Sequence, residues 1–150
     1  MPAGTDAATG DALVSAFFTI EVGPITGFFT EVSGLGSEHE VVETKLSQGT
    51  VEFVRKQPGR LKWGDITLKR GLTANMDMWT WRKQVEDGDV IGARMNGSIM
   101  MFDQEGTPVA QWDFTAGWPS KITGPAPKSD ANEVGIEELT VVHEGITRVS

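Results

Sequence analysis

A two-residue alternation of apolar and polar side chains runs through most of this chain, which is the period of strands with one buried face. From Leu13 to Val22, Val14, Ala16, Phe18, Ile20 and Val22 fall on one face and Ser15, Phe17, Thr19 and Glu21 on the other. Gly23-Pro24 signals a turn. Gly27 to Ser33 sets Phe28, Thr30 and Val32 against Phe29, Glu31 and Ser33, and Gly34-Leu35-Gly36 breaks the run. His39 to Leu46 reads as extended, Ser47-Gln48-Gly49 as a turn, and Thr50 to Lys56 as a strand with Val51 and Phe53 on one face. Gln57-Pro58-Gly59 gives a second turn signal. Residues 36–60 therefore read as a long arm or hairpin with little apolar surface of its own. A lone two-stranded hairpin is marginal in water, so an ordered arm needs something packed on it, and another subunit is a candidate.

Leu61 to Arg70 makes the next strand, with Ile66 and Leu68 opposite Asp65, Thr67 and Lys69. Helical spacing dominates in one place, Met76 to Asp87. Thr73 or Asn75 can cap that helix, Asp77 suits its positive end and Gly88 its stop. Met78, Trp81 and Val85 share a face, while Trp79 points nearly the opposite way beside Met76 and Lys83. Trp79 and Trp81 are thus candidate anchors on two sides of an outer helix. Ser98 to Asp103 and Thr107 to Thr115 predict a hairpin around Gln104-Glu105-Gly106. Gly117 to Lys128 holds three prolines and reads as a loop. In the last strand, Glu133 to Gly145, Val134 and Ile136 are out of phase with Leu139 and Val141, which predicts a β-bulge at Glu137-Glu138. About six to eight strands and one helix give a mainly β fold, a barrel or sandwich with the helix lying on it.

At 150 residues the chain fits one domain. That domain is expected over 13–150, behind a flexible N-terminal arm, residues 1–12, rich in Ala, Gly, Thr and Asp. The absence of cysteine excludes disulfides, thiolate metal sites and cysteine nucleophiles. A formal charge of −8, from 21 acidic and 13 basic side chains, argues against specific nucleic-acid binding. No apolar run approaches the roughly 20 residues of a membrane-spanning helix. Residues 1–11 lack the basic start and apolar centre of a secretory leader, so the expectation is a soluble protein assembled in the cytoplasm. The charge is unevenly placed. Residues 1–44 hold seven acids and no base, residues 45–70 seven bases and two acids, and residues 130–145 five acids and no base. Either neighbouring strands pair opposite charges across a solvated face, or the basic segment of one copy meets acidic segments of another.

Candidate chemistry changes the picture little. His39 lies in Glu38-His39-Glu40 and His143 beside Glu144, and neither has the two-histidine spacing of a zinc site. Gly34-Leu35-Gly36 is no phosphate loop, there is no G-x-S-x-G elbow, and no pair of carboxylates has a distinguishing environment. The five tryptophans, Trp63, Trp79, Trp81, Trp112 and Trp118, suit either core and interface anchoring or a sugar-binding platform. The residues by themselves favour a non-enzymatic β domain with self-association features, using no metal or other cofactor.

Several segments taken together resemble the contractile-tail tube protein family, which includes phage tail tubes and the inner tubes of extracellular contractile injection systems. They are Phe28-Phe29-Thr30-Glu31-Val32-Ser33-Gly34-Leu35, Lys56-Gln57-Pro58-Gly59 followed by Ile66-Thr67-Leu68-Lys69-Arg70-Gly71, and Trp79-Thr80-Trp81. Ala116-Gly117-Trp118-Pro119-Ser120-Lys121, Asn132 to Leu139 and His143-Glu144-Gly145 complete the set, which spans 13–148 in order. The resemblance implies a tail-tube fold with one outer helix and a long β-arm, its strands joining a ring-wide barrel in a hexamer. It implies hexameric rings stacked into a hollow tube, with the arm reaching the adjacent ring. The implied partners are further copies of the chain, a surrounding sheath protein, baseplate and terminator or cap proteins, and cargo in the lumen. The implied setting is a phage tail-like particle, released or membrane-anchored. On this reading Lys45, Arg55, Lys56, Pro58, Gly59 and Arg60 are candidates for contacts between subunits or rings, and Glu133, Glu137 and Glu138 are their acidic counterparts. An injection-system tube is the first expectation and a phage or prophage tail tube the alternative. From a different class, a monomeric carbohydrate-binding β domain would require exposed, coplanar tryptophans.

Overall fold

The computed structural model of the protein describes residues 17–72, 75–124 and 135–150, so the segment 1–12 and Glu133 lie outside the described residues. Strand β1 (Phe17–Val22) turns at Gly23-Pro24 into β2 (Ile25–Phe29), and the two pair antiparallel with Ile20 opposite Gly27. Gly23 takes a positive φ of 57° there, the conformation such a tight turn requires. The other edge of β1 pairs with β7 (Met95–Phe102), which pairs with β8 (Pro108–Thr123). β8 then pairs with β9 (Ile136–Val142), β9 with β6 (Ile66–Gly71), and β6 with β3 (Glu31–Ser33). The last strand, β10 (Gly145–Arg148), lies along the first half of β8.

Only Thr30 separates β2 from β3. Its N–H donates to the Lys69 carbonyl at 3.0 Å, so the chain leaves β1 and joins β6 within a single residue. The two ends of the sheet path are thereby joined by chain continuity. The kink also changes the side-chain phase expected over Gly27–Ser33. Phe29 is 1 % exposed in the core and Val32 packs beside it, whereas Phe28 is 70 % exposed.

Three further expectations are corrected. Gln57-Pro58-Gly59 is no turn: β5 (Val51–Trp63) runs through it, paired along its length with β4 (Ser37–Gln48). The register shifts between His39 and Val41, whose partners are Leu61 and Pro58, so the Pro-Gly signal marks a bulge. Likewise β8 continues through Gly117-Trp118-Pro119 to Thr123 instead of looping. It bends where Ala116 adopts φ 50°, held by Asn96 Oδ1 accepting from its N–H at 3.1 Å, and Pro119 sits next to a register shift where a missing N–H is tolerated. There is no bulge at Glu137-Glu138: β9 pairs with β6 in unbroken register from Ile136 to Val141. The apparent phase slip arises because Glu137 is itself a core-facing residue, alternating in step with Leu139 and Val141.

Ile20, Val22, Phe29, Ile66, Leu68, Ile99, Phe114, Leu139 and Val141 form the core between the curled sheet and helix α1 (Asp77–Glu86). Met78 and Trp81 point into it, as the helical spacing predicts. The Asn75 side chain accepts from the Asp77 N–H at 2.8 Å and starts the helix. A short second helix, α2 (Val90–Ala93), not foreseen from sequence, gives its Ala93 carbonyl to Trp81 Nε1 at 2.8 Å and is capped by Asp89, which accepts from the Gly92 N–H.

The β4–β5 hairpin joins this body through a neck of glycines. Gly36 N–H donates to the Gly34 carbonyl and Gly64 N–H to the Gly36 carbonyl, each at 2.9 Å. Gly34 has φ 85°, and a Cβ there would lie 1.9 Å from the Asp65 carbonyl oxygen. Gly34→Ala is therefore expected to lower unfolding free energy by about 2 kcal/mol or more, measured by urea denaturation. Gly49→Ala, at the open tip of the hairpin, meets no atom within 4 Å and tests the φ contribution alone.

Candidate functional site

The hairpin is the outstanding surface. β4 has 12 residues and β5 has 13, and they form a sheet of their own that pairs with no other strand. At about 3.3 Å per residue the arm reaches roughly 40 Å. Its side chains stay in solvent: Val41, Val42, Val51, Val54 and Leu61 are all exposed. The register divides them between two faces. Glu43 opposite Lys56 and Ser47 opposite Glu52 lie on one face, together with Lys45 and Val54. Leu46 opposite Phe53 and Thr44 opposite Arg55 lie on the other, with Val42 and Val51. One face of the outer arm is thus charged with both signs. The other is apolar with the single charge of Arg55.

The sequence-predicted contact residues fall into two groups. Lys45, Arg55, Lys56, Pro58, Gly59 and Arg60 all lie on the arm, and all but Gly59 are exposed. None of the four cations among them makes an ion pair among the described residues. Gly59 sits at the bulge, where a Cβ would come within 3.0 Å of the Glu40 carbonyl oxygen. Of the expected acidic counterparts, Glu138 is half-buried opposite Lys69, and Glu137 is 0 % exposed. Glu137 is thus corrected from a surface contact to a core residue. Its Oε2 accepts from Arg70 Nε at 3.0 Å, and its Oε1 from Trp79 Nε1 at 2.8 Å. Arg70, itself 5 % exposed, also lies over the Phe29 ring and donates to the Asn75 carbonyl at 3.4 Å. Opposite charges in the basic segment are therefore partly matched within one chain: Arg70 with Glu137, Lys69 with Glu31 at 3.9 Å, and Lys62 with Glu40 at 3.3 Å. Both expected helix anchors are engaged in their own fold, Trp81 in the core and Trp79 on Glu137.

Sequence reasoning missed the role of His143. Its Nδ1 accepts from the Gly145 N–H at 3.1 Å, so its Nε2 carries the proton donated to the Gly64 carbonyl at 2.9 Å. The ring thereby ties the β9–β10 junction to the base of the arm, between Trp63 and Phe114. The His-Glu-Gly string in the sequence was the only local signal for it.

The sheet also has a bare face, away from the core. Thr26, Glu21, Ser98, Asp113 and Thr147 lie in register across five strands on that face. Asp113 accepts from Gln111 Nε2 at 2.9 Å and Ser98 Oγ at 2.7 Å, and these bonds hold its carboxyl below the usual carboxylate range. Beside this acidic row, Phe17 stacks on Phe102 at 4.9 Å and touches Phe28 at 5.9 Å. Among the described residues no group of three or more His, Asp or Glu side chains is placed to hold a metal ion.

A family model described as T4-like virus tail tube protein gp19 matches residues 14–147. No curated protein sequence matches the chain. Among solved structures, a chain from the sheath-tube complex of the extracellular contractile injection system PVC, in the extended state, is 20% identical with a TM-score of 0.81, covering 100% of this chain and 99% of that one. A chain from the tube-terminating cap of the anti-feeding prophage is 22% identical with a TM-score of 0.70 over 96% and 99%. Hcp1 from Flavobacterium johnsoniae is 13% identical with a TM-score of 0.59 over 88% and 94%. These likenesses show a shared fold.

Removing the Glu137 carboxylate leaves Arg70 charged and unpaired in the core. Glu137→Ala is expected to cost about 3–5 kcal/mol, whereas the pair Arg70→Met with Glu137→Leu recovers most of it. Urea unfolding followed by tryptophan fluorescence reads both.

Proposed function

The chain belongs to the T4-like virus tail tube protein gp19 family, and from that premise we propose that it is the inner-tube subunit of a contractile injection system, forming hexameric rings that stack into a hollow tube. The observation that carries this reading is the β4–β5 arm, which is paired strand to strand on either side of its bulge and, beyond Trp63 at its base, leaves most of its side chains in solvent. Such an arm suits a subunit whose neighbours supply the missing surface. Lys45, Arg55, Lys56, Pro58, Gly59 and Arg60 are the arm positions that meet the next ring, and Glu138 and Glu133 remain candidates for its acidic partners.

The work of such a subunit is mechanical, and it breaks no bond of its own. A sheath contracts around the tube and drives it forward, with cargo held in or passing through the lumen. The bare sheet face with its Glu21–Asp113 row is the surface proposed to line that lumen, since helix α1 lies on the opposite, core side. An acidic lining does not trap nucleic acid. Sheath, baseplate and terminator or cap proteins are the proposed partners, and assembly in the cytoplasm the proposed route. The whole-chain likeness to a protein of the PVC sheath-tube complex favours the injection-system setting over a phage tail. The sugar-binding alternative loses support, because Trp81 is buried and Trp63, Trp79, Trp112 and Trp118 are all partly covered.

Replacing residues 38–62 with a short glycine turn tests the reading. The variant is expected to keep its thermal midpoint within about 4 °C, since the arm adds almost nothing to the core, and to lose stacked tubes in electron micrographs of particles co-expressed with sheath and baseplate. Tubes of normal length from this variant would overturn the role given to the arm.

A further inference from the structure

The bare sheet face carries two kinds of surface side by side. Thr26, Glu21, Ser98, Asp113 and Thr147 share one row across five strands. Two residues along each strand lies a second row, Phe28, Thr19, Met100 and Gln111, and one step beyond it Phe17 stands opposite Phe102. Phe28 is 70% exposed, and Phe17, Met100 and Phe102 are each half-buried. The first row is concave: Glu21, Asn96, Ser98, Asp113 and Thr115 are among the residues lining an open groove of about 400 Å³. No lysine or arginine lines it, and neither Glu21 nor Asp113 makes an ion pair among the described residues. The bonds that Asp113 accepts from Gln111 and Ser98 come from neutral groups, so they favour its charge without cancelling it.

We infer that this face holds cargo by an extended, basic and apolar segment of the cargo protein. A lysine or arginine of that segment seats its head in the Glu21–Asp113 groove, and an apolar side chain further along lies on the Phe17, Phe28 and Phe102 cluster. Carboxylates without counter-ions select a cation over an anionic or neutral group. The long apolar stem of lysine or arginine suits the passage from the acidic row to Met100 beside it. Spacing fits as well. Successive rows of the face lie about 7 Å apart, which is also the distance between side chains on one side of an extended chain. A segment laid along the strands therefore meets the acidic row with its cation and the apolar rows two and four residues on. In the proposed ring the face recurs around the lumen, so contacts too weak to hold a cargo singly act together. The inference rests on the tube reading and gives the chemical class of cargo segment its lumen takes.

Protease protection tests it. Tube, sheath and baseplate proteins are co-expressed with peptides of alternating Lys-Leu, Lys-Ser or Glu-Leu, each joined to a short luciferase-complementing tag. Purified particles are treated with protease and dissolved, and the surviving tag is read relative to its total in the lysate. The Lys-Leu peptide is expected to be protected at least about tenfold better than either of the others. Glu21→Gln with Asp113→Asn is expected to remove most of that protection, and so is Phe28→Ser. Tubes visible by electron microscopy without protected Lys-Leu peptide would overturn the inference and leave the tube reading standing. Equal protection of the Glu-Leu peptide, or protection unchanged in these variants, would overturn it too. Failure of the unmodified subunit to form tubes would overturn both. Thr147→Lys covers the case in which the other variants do not assemble. It places a cation opposite Asp113 at an exposed position and removes no existing contact of the carboxylates. Protection of the Lys-Leu peptide is expected to fall with it, and an unchanged signal counts against the groove.

Discussion

A hairpin whose two strands pair only with each other and bury almost none of their side chains sets the terms for everything else in this molecule. The β4–β5 ladder runs from the neck to Gln48 and Val51 with one bulge between His39 and Val41, so the arm can hold its shape. It contributes nothing to the core, so that shape brings no stability to the subunit. Fixing a residue costs about 1–2 kcal/mol of backbone entropy, and burial elsewhere in the chain cannot offset that cost for the arm. Stable order must come from contact with another molecule. The two free edges of the arm invite pairing of the wrong kind, and the mixed charges of Glu43, Lys45, Glu52 and Lys56 on one face discourage it.

A projecting arm transmits its position only if its base is rigid, and the body is built accordingly. The neck packs backbone against backbone at Gly34 and Gly64, leaving no room for a side chain there, and Gly36 links the two through backbone hydrogen bonds. His143 bridges that neck to the β9–β10 junction with a bond from each ring nitrogen. Deeper in, Glu137 holds β6 through Arg70 and α1 through Trp79, so one buried carboxylate fixes the helix relative to the sheet. A buried ion pair adds little net stability compared with an apolar replacement. Its value here is directional, because hydrogen bonds from two elements to one carboxylate specify a single arrangement of them.

Sequence patterning made the arm legible, since 36–60 alternates with little apolar surface of its own and turns at Gly49. It made the core face of β1 and the inward face of α1 legible for the same reason, periodicity in apolar size. It failed where a local signal has two structural outcomes. Pro58-Gly59 and Gly117-Trp118-Pro119 both read as chain breaks, yet each lies inside a strand as a bulge or beside one, and the choice is made by the partner strand. Glu137 was misread because alternation counts apolar residues, and a carboxylate on the core face looks like a slip of phase. Only Arg70, 67 residues earlier in the chain, explains it. The expectation of a barrel shared between subunits came from the family resemblance alone, because no local pattern records what a neighbouring copy supplies.

The distribution of charge follows from the same division between what is internal and what is left for others. Lys62, Lys69 and Arg70 find carboxylates within their own chain, and all three stand at the body or near the neck. Lys45, Arg55, Lys56 and Arg60, further along the arm, form no ion pair among the described residues. Lys56 has Glu43 across the ladder, whereas Arg55 has no carboxylate on its own face of the outer arm. With −8 overall, every further copy of this chain repels the next at long range. Against that general repulsion, exposed charges of both signs on the arm favour a complementary surface over an indiscriminate one. On the proposed tube reading, contact between copies then waits for a surface that matches the arm.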